Sequence, residues 1–283
     1  MHAYAWVPLL DQVQGDYYKV YFASRNKDNL SQVGYILIDI NNPAKIIEIS
    51  KYPVLELGPL GAFDDSAVLP SCIVNRKGKK YLYYVGWTQG KRVPFYSALG
   101  LAVSEDNGRT FQKYSKAPLL SRNNIDPFFT ASAYVMLQNG LWRMWYTTNT
   151  AWRMISKEIL PKYHIKYAES KDGFDWTRKG TVAIDFNNEE EYAISRPWVI
   201  FEEGIYKMWY SYRGKAYRIG YAESKDGIKW TREDKRAGID VSENGWDSEM
   251  IEYACVIDHN GKKYMVYNGN EYGKNGIGMA VEN

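Results

Sequence analysis

The segment GIYKMWYSYRGKAYRIGYAESKDGIKWTR at residues 204–232 decides the fold, because copies of it recur along the chain. One copy reads GLWRMWYTTNT at residues 140–150 and resumes, after a short insertion, as YHIKYAESKDGFDWTRKG. Fainter copies begin at Gly15, Gly78 and Gly261, so that the five marker glycines lie 57 to 64 residues apart. A strand-rich unit repeated at this period predicts one β unit arranged five times in a ring, with loops from every copy converging on the axis.

Each copy is predicted to fold as four antiparallel strands. Around Gly204, the stretch SRPWVIFEE gives the first strand, IYKMWYSY the second and YRIGYAES the third. Glycine reaches the positive φ of the first turn at little cost, and the Asp-Gly pair in KDGI is typical of the hairpin that leads to the fourth strand. Four such strands form one propeller blade. The sequence therefore predicts an all-β protein with a single five-bladed β-propeller domain over residues 1–283.

Two local features of the repeats bear on how the ring is held together. The stretch SEDNGRTF from Ser104 matches the Asp-box hairpin of sialidase propellers. In that hairpin Asp106 would bond nearby backbone amides and Phe111 would pack beneath the blade. The last copy ends in its third strand, GIGMAVEN, so either the ring closes by side-chain packing alone or the chain has been trimmed.

The charge distribution argues against a nucleic-acid partner. The net charge is +3, and acidic and basic residues are interspersed without the basic stripe that nucleic-acid binding requires. No stretch approaches the roughly 18 apolar residues of a membrane-spanning helix. The first residues, MHAYAWVPLLDQ, lack the basic region and cleavage site of a signal peptide, so we expect a cytoplasmic protein without a membrane span.

Cysteine and histidine usage indicates neither a disulfide nor a metal site. Cys72 and Cys255 each lie six residues before a marker glycine, within apolar runs, and are expected to be buried reduced thiols. The histidines, His2, His164 and His259, are far apart in the repeat frame, so the sequence shows no Cys/His metal cluster. We therefore predict no metal and no cofactor.

Strand geometry predicts which end of the ring carries function. In a four-stranded meander, the loop entering the first strand and the loop joining the second and third strands lie at the same end. The first set of loops holds mostly acids: His2, Asp64, Asp65, Asp126, Glu190, Glu191, Asp247 and Glu249. The second set, together with one arginine of a first strand, supplies Arg25, Trp87, Asn149, Arg213, Asn268, Asn270 and Arg196. Carboxylates drawn together raise one another's pKa and cost stability, so their convergence favours a functional site.

Paired carboxylates on a rigid frame, with aromatic, Asn and Arg side chains around them, suit the cleavage of a glycosidic bond. One acid protonates the leaving oxygen, and the second activates water or attacks the sugar directly. A separation of roughly 5 Å between the two carboxyl groups implies retention of configuration, and about 6.5–9.5 Å implies inversion.

Several motifs carry a resemblance that covers nearly the whole chain. They are GPLGAFDDS, ISRPWVI, KMWYSYRG, YAESKDG, and GWDSEMIEY followed by YNGNEYG. With them the chain resembles the five-bladed propeller glycosidases of the arabinanase, invertase and levansucrase type, and the mannoside phosphorylases of similar shape. More closely, it resembles a bacterial group of glycosidase-like proteins linked to surface-polysaccharide biosynthesis. The resemblance implies a carbohydrate ligand, either a glycan or a sugar-containing small molecule.

The resemblance also implies acids near the starts of the innermost strands, which match Asp65, Asp126 and Glu249 here. The chain departs from the pattern at two places: His2 replaces the Asp that usually opens the first blade, and the motif SRP brings Arg196 to a later one.

These positions receive provisional roles in a glycoside hydrolase. Glu249 is the expected general acid, because the ring of Trp246 could raise its pKa, and Asp65 is the expected base or nucleophile. Asp126 would orient Asp65 or the sugar, and Arg196 with Arg213 would bind an anionic group of the glycan. The other expected ligand contacts are His2, Arg25, Asp64, Trp87, Asn149, Glu191, Trp246 and Asn270.

Two alternative functions stay open at this point. Arg196, Arg213 and His2 near the axis would also serve phosphate, which favours a phosphorylase or a transferase. A propeller fold hosts many functions, so a glycan-binding protein without catalysis is the other alternative. The oligomeric state is not predicted.

Overall fold

The structure is a computed structural model that describes residues 3–155 and 157–282, so that the predicted ligand contact His2 lies outside the described residues. The strands are β1 Ala3–Gln14, β2 Tyr17–Arg25, β3 Ser31–Asp39, β4 Ile46–Ile49, β5 Ala67–Arg76, β6 Lys79–Gln89, β7 Phe95–Ser104, β8 Gln112–Lys113, β9 Thr130–Gln138, β10 Leu141–Ile155, β11 Glu158–Ser170, β12 Thr177–Ile184, β13 Ala193–Glu202, β14 Ile205–Arg213, β15 Tyr217–Ser224, β16 Thr231–Arg232, β17 Glu252–His259, β18 Lys262–Asn268 and β19 Gly278–Val281. A 3₁₀ turn at Asp234–Arg236 and a helical turn at Asn270–Gly273 interrupt them. The all-β fold class is therefore confirmed.

The strands form five antiparallel meanders in succession, which we number 1 to 5. They are β1–β4, β5–β8, β9–β12, β13–β16 and β17–β19. The first strand of each meander contacts the first strand of the next, and β17 contacts β1, so the first strands close a ring around a common axis. Each meander coincides with one sequence copy. The marker glycines form the turns between first and second strands with positive φ, for example +75° at Gly78 and +78° at Gly204, a conformation that glycine adopts without strain.

The Asp-box hairpin from Ser104 is confirmed as a turn-stabilising device. The Asp106 carboxylate accepts hydrogen bonds from the backbone N–H groups of Arg109 at 2.9 Å and Thr110 at 3.0 Å. Phe111 is buried, with its ring edge-on to Tyr21 at a centroid distance of 5.8 Å. These bonds lower the pKa of Asp106 to about 2, against the opposing effect of partial burial.

The glycine of this turn also links neighbouring meanders. In meanders 2, 3 and 4 its carbonyl oxygen accepts a hydrogen bond from an aromatic side chain on the second strand of the preceding meander. The pairs are Tyr21 Oη to Gly108 at 2.8 Å, Tyr83 Oη to Gly173 at 3.1 Å and Trp145 Nε1 to Gly227 at 2.8 Å. The same repeated unit therefore supplies both the hairpin and the contact between hairpins.

The ring closes between meanders 5 and 1 through side chains. Asn268 is fully buried; its Oδ1 accepts from the Val7 N–H at 2.8 Å, and its Nδ2 donates to the Ala5 carbonyl at 2.8 Å. The thiol of Cys255 accepts from the Leu10 N–H at 3.2 Å. Both cysteines are free and buried, as expected, and burial raises the pKa of each thiol to about 12.

We expect Asn268→Ala to lower the free energy of unfolding by about 2 kcal/mol, because it leaves buried backbone groups of β1 without partners. Urea unfolding monitored by tryptophan fluorescence measures the change. Asn275→Ala is the matched control, since Asn275 is exposed on the same meander. Equal stability of the two variants would show that Asn268 does not hold the ring closed.

Candidate active site

A pocket opens on the axis at the end where the first strands begin and the second strands end. The empty space in and above it amounts to about 580 Å³, a volume that includes open solvent at its mouth. One wall is aromatic, two tyrosines contribute to a second, and an arginine lies at the bottom. We call it the axial pocket; its principal lining residues are Trp6, Trp87, Phe95, Phe129, Tyr163, Tyr253 and Arg196.

The aromatic wall is a stack of rings that contact one another. Trp87 stacks on Phe95 with centroids 4.5 Å apart and planes 7° apart, and Trp6 packs edge-on against Trp87 at 5.8 Å. Phe129 completes the wall against Phe95 at 5.5 Å. The indole N–H of Trp6 is buried without a hydrogen-bond partner in the described structure. This wall therefore offers the flat apolar faces that predominate in small-molecule sites.

Strained backbone converges on the same pocket. Val7, Arg196 and Tyr253 all line it and have φ values of +51°, +55° and +60°. Each lies at an irregularity in the pairing of a first strand with the second strand of its meander. A non-glycine residue in this region costs about 1–3 kcal/mol, and such strain is concentrated at functional sites. Bulges of this kind re-aim side chains next to active sites.

Arg196 lies at the bottom of the pocket and ties three meanders together. Its guanidinium is only 1% exposed and donates to the carbonyl of Pro70 at 2.7 Å and that of Pro8 at 3.0 Å. Among the described residues no carboxylate pairs with it, and its Nε has no partner. Burial lowers its pKa, yet a guanidinium stays protonated in proteins. The pocket therefore rests on a positive charge without a counter-ion.

Three of the predicted acids are buried structural anchors within their own meanders. Asp126 accepts from Tyr146, Thr148 and Lys166 at 2.9 Å each and from Arg178 at 3.0 Å. Its oxygens are thus occupied, which gives it a structural role in place of the expected orienting one. The other two are Asp64, bonded by Tyr84 at 2.8 Å and paired with Lys113 at 2.6 Å, and Glu191, bonded by Arg232 at 2.7 and 3.1 Å. Neither is available to a ligand in this arrangement.

Asp65, by contrast, is half-buried at the rim beside the aromatic wall. It accepts from the Ser66 hydroxyl at 2.7 Å and from the Gly61 N–H at 2.9 Å. The N–H of Ser66 donates to the carbonyl of Trp87 at 3.0 Å, which holds the backbone next to Asp65 against the end of β6. Partial burial favours the neutral acid, but the bonds from Ser66, Gly61 and Thr88 prevail and lower its pKa. Asp65 is therefore ionised at neutral pH.

Glu249 does not have the environment that the sequence predicted. Its side chain is exposed, so no apolar wall desolvates it. The Trp246 ring packs within meander 5 against Tyr267, with centroids 5.4 Å apart. Asn270 holds the loop through backbone bonds, accepting from the N–H of Glu249 at 2.9 Å and of Met250 at 3.0 Å. These residues shape the loop that precedes β17.

The remaining predicted contacts lie around the pocket mouth. The Arg25 guanidinium lies over the rings of Tyr4 at 4.5 Å and Trp6 at 5.2 Å. Arg213 donates to the Tyr272 hydroxyl at 2.9 Å. Asn149 is buried, and its Nδ2 has no partner among the described residues. Arg25 is thus the cation stacked against the Trp6 end of the aromatic wall.

One acid at this end escaped the sequence analysis. Glu252 begins β17 and is fully buried, and neither carboxylate oxygen accepts a well-aligned hydrogen bond. Burial raises its pKa well above the ordinary range; Tyr253 and Arg213 only oppose the rise. It lies three residues after Glu249 in the motif SEMIEY. Its position at the start of an apolar strand is the sequence feature that could have indicated a buried acid.

Within residues 3–155 and 157–282, no group of three or more His, Cys, Asp or Glu side chains is placed to hold a metal ion. In the same part of the chain, no helix has the length and apolar character needed to cross a membrane.

Comparison with known proteins places the chain in a family. No family model matches it. It is 38% identical over 279 residues to the Uncharacterized protein Rv1502 of Mycobacterium tuberculosis, across 99% of this chain and 92% of that protein. Its structure is similar to one described as a glycoside hydrolase, with a TM-score of 0.76 and 18% identity over 100% of this chain and 88% of the other. It is also similar to a thermostable family-43 glycoside hydrolase, with a TM-score of 0.67 and 17% identity over 98% and 88%. The chain therefore belongs to the family of the mycobacterial protein Rv1502 and has the propeller fold of the glycoside hydrolases.

Proposed function

We propose that this protein is a glycoside hydrolase that binds its glycan in the axial pocket. The observation that carries the proposal is the aromatic wall of Trp6, Trp87 and Phe95, together with the ionised Asp65, whose neighbour Ser66 bonds to the backbone of Trp87. Aromatic faces bury the apolar side of a sugar ring. The fold likeness to a family-43 glycoside hydrolase supports the same function.

Asp65 has the properties of the base or nucleophile in such a reaction. It is ionised, and its hydrogen bonds fix its orientation. It would remove a proton from water as that water attacks the sugar, or attack the sugar itself. A second group must protonate the leaving oxygen; the sequence predicted Glu249 for this step, and its exposed side chain leaves the assignment of the donor open to another acid.

The positive charge beneath the pocket bears on the substrate. The Arg196 guanidinium has no counter-ion among the described residues, and the Arg25 guanidinium lies over the ring of Trp6. A carboxylate or phosphate on the glycan would compensate this charge. We therefore propose that the natural substrate is an anionic glycan.

A second candidate function is glycan binding without catalysis. The described residues that line the axial pocket include no Asp and no Glu. Hydrolysis thus depends on Asp65 reaching over the rim to the bound sugar, whereas binding needs only the wall and the arginines.

Reducing-sugar release from a panel of neutral and anionic glycans tests the proposal. We expect release, fastest from anionic members, and we expect Trp87→Ala to raise KM by about tenfold through lost ring contact. Tyr52→Ala is the control, because Tyr52 is 69% exposed. Calorimetric binding without release would favour the second candidate. Neither binding nor release by any glycan would contradict both.

A further inference from the structure

Glu252 lies in a closed cluster of hydroxyl groups at the contact of meanders 3, 4 and 5. The groups close enough to influence its carboxyl, or to be influenced by it, come from β11, β14, β15 and β17 itself. They are Tyr163, Arg213, Tyr217 and Tyr253. Tyr163 and Tyr217 share a hydrogen bond between their hydroxyls, and Arg213 is held outward by its bond to Tyr272. Tyr253 is the group next to the carboxyl, and among these described groups no cation forms an ion pair with it.

The cluster is continuous with the axial pocket. Tyr163 and Tyr253 belong both to the cluster and to the pocket lining. The left-handed backbone at Tyr253 breaks the strand alternation, so its side chain reaches the pocket while its hydroxyl stays close to the preceding Glu252. One tyrosine thus separates the buried carboxyl from the space that a ligand would fill.

A buried carboxyl without hydrogen bonds is tolerated only in its neutral form, because burial of an isolated charge costs far more free energy than protonation of the group. The direction of its pKa agrees, since burial raises it well above the ordinary range although Arg213 opposes the rise. Glu252 therefore carries a proton at neutral pH. A protonated acid near the reacting bond is what the departure of a sugar requires.

We propose that Glu252 stores the proton for glycosidic cleavage and that Tyr253 delivers it to the leaving oxygen, a role that rests on the proposed hydrolase function. As the bond between the anomeric carbon and the leaving oxygen breaks, the Tyr253 hydroxyl gives its proton to that oxygen and takes one from Glu252. Water adds to the anomeric carbon and gives a proton to Asp65. Proton exchange with solvent then restores both acids, so the net reaction consumes one water.

Glu252 acts only through Tyr253, so the test must measure a property that would stay unchanged if Glu252 only supported the fold. The difference in kcat between a poor and an activated leaving group is such a property. Glu252→Gln keeps the shape and neutrality but cannot release a proton. We expect kcat to fall about 100-fold for a glycoside with a poor alkyl leaving group and to change less than threefold for an activated aryl glycoside. Tyr253→Phe should show the same selective loss. Glu243→Gln, at an exposed acid in the preceding loop, is the control.

Other results would overturn the proposal. An equal loss for both substrates would indicate a structural role. A selective loss in Glu249→Gln with none in Glu252→Gln would make Glu249 the proton donor. In both cases the hydrolase function would stand, because the parent still cleaves; a parent that cleaves no glycoside would end both proposals.

Infrared spectroscopy gives a readout independent of activity. The difference spectrum of the parent minus Glu252→Gln should show the C=O band of a protonated carboxylic acid at neutral pH. If that band is absent and a carboxylate band appears instead, Glu252 does not store a proton and the proposal is wrong. Circular dichroism of both proteins checks that the variant is folded.

Discussion

Replacing Asp126 by Asn should destabilise the protein by about 3–5 kcal/mol, a large fraction of the stability of a typical domain. The carboxylate is fully buried and neutralises Lys166 and Arg178, whose side chains are 12% and 10% exposed. Removal of the Asp126 carboxylate leaves two buried cations without a counter-ion. Loss of one member of a buried ion pair destabilises a protein far more than replacement of the whole pair. Urea unfolding at neutral pH measures the loss, with Asp175→Asn as the control because Asp175 is exposed.

The destabilisation should depend on pH in a defined direction. Burial alone would raise the pKa of Asp126, but the bonds and charge of Lys166, with Tyr146 and Thr148, lower it. A group whose pKa is depressed in the folded state stabilises that state fully at pH values above its pKa in the unfolded chain, which is about 3.9 for Asp. This stabilisation is lost as the pH falls through the pKa of the folded state. The parent and variant should therefore converge in stability below about pH 4. A difference that persists undiminished at about pH 2.5, well below the unfolded pKa, would contradict the electrostatic explanation.

Replacing Asp65 by Asn should reduce glycoside turnover by about 10²–10⁴-fold while KM changes little. The amide keeps the shape of the side chain, yet it can neither remove a proton from water nor attack the sugar. Because Asp65 is half-buried at the rim and bonds only to its own loop and the neighbouring strand, folding should be unaffected.

Steady-state kinetics on any glycan that the parent cleaves measures the effect of Asp65→Asn. Asp28→Asn is the matched control, since Asp28 is an exposed acid in the loop between β2 and β3. Turnover by Asp65→Asn within threefold of the parent would remove Asp65 from the reaction and leave the proposed base unassigned.

The fold could be predicted because its determinants are local. The turn at Gly204 and the Asp-Gly hairpin after Ser224 are each specified within a few residues, and the repeat displays them several times. The bonds of Ser224 and Asp226 to the following amides repeat those seen at Ser104 and Asp106. The repeat of these motifs along the chain therefore predicted the order of the strands, although no distant contact was known.

The roles of individual acids could not be predicted, because they depend on partners far away in sequence. Asp126 and Asp65 look alike in their loops, but Lys166 and Arg178 reach Asp126 from 40 and 52 residues away. Glu249 and Glu252 are three residues apart, yet one is exposed and the other is sealed by neighbouring meanders. Loop position predicted which end of the ring these acids occupy, but it could not rank the acids there.

The aromatic links to the glycine carbonyls impose an order of assembly on the nascent chain. They join residues 87, 90 and 82 positions apart, each from one meander to the third-to-fourth-strand turn of the next. The aromatic side chain on the second strand of a meander can therefore form its hydrogen bond only after most of the following meander has been synthesised. At the speed of the ribosome this takes on the order of 10 s. Docking therefore advances one unit behind synthesis, and the contacts of Asn268 with β1 form only after β18 has been synthesised.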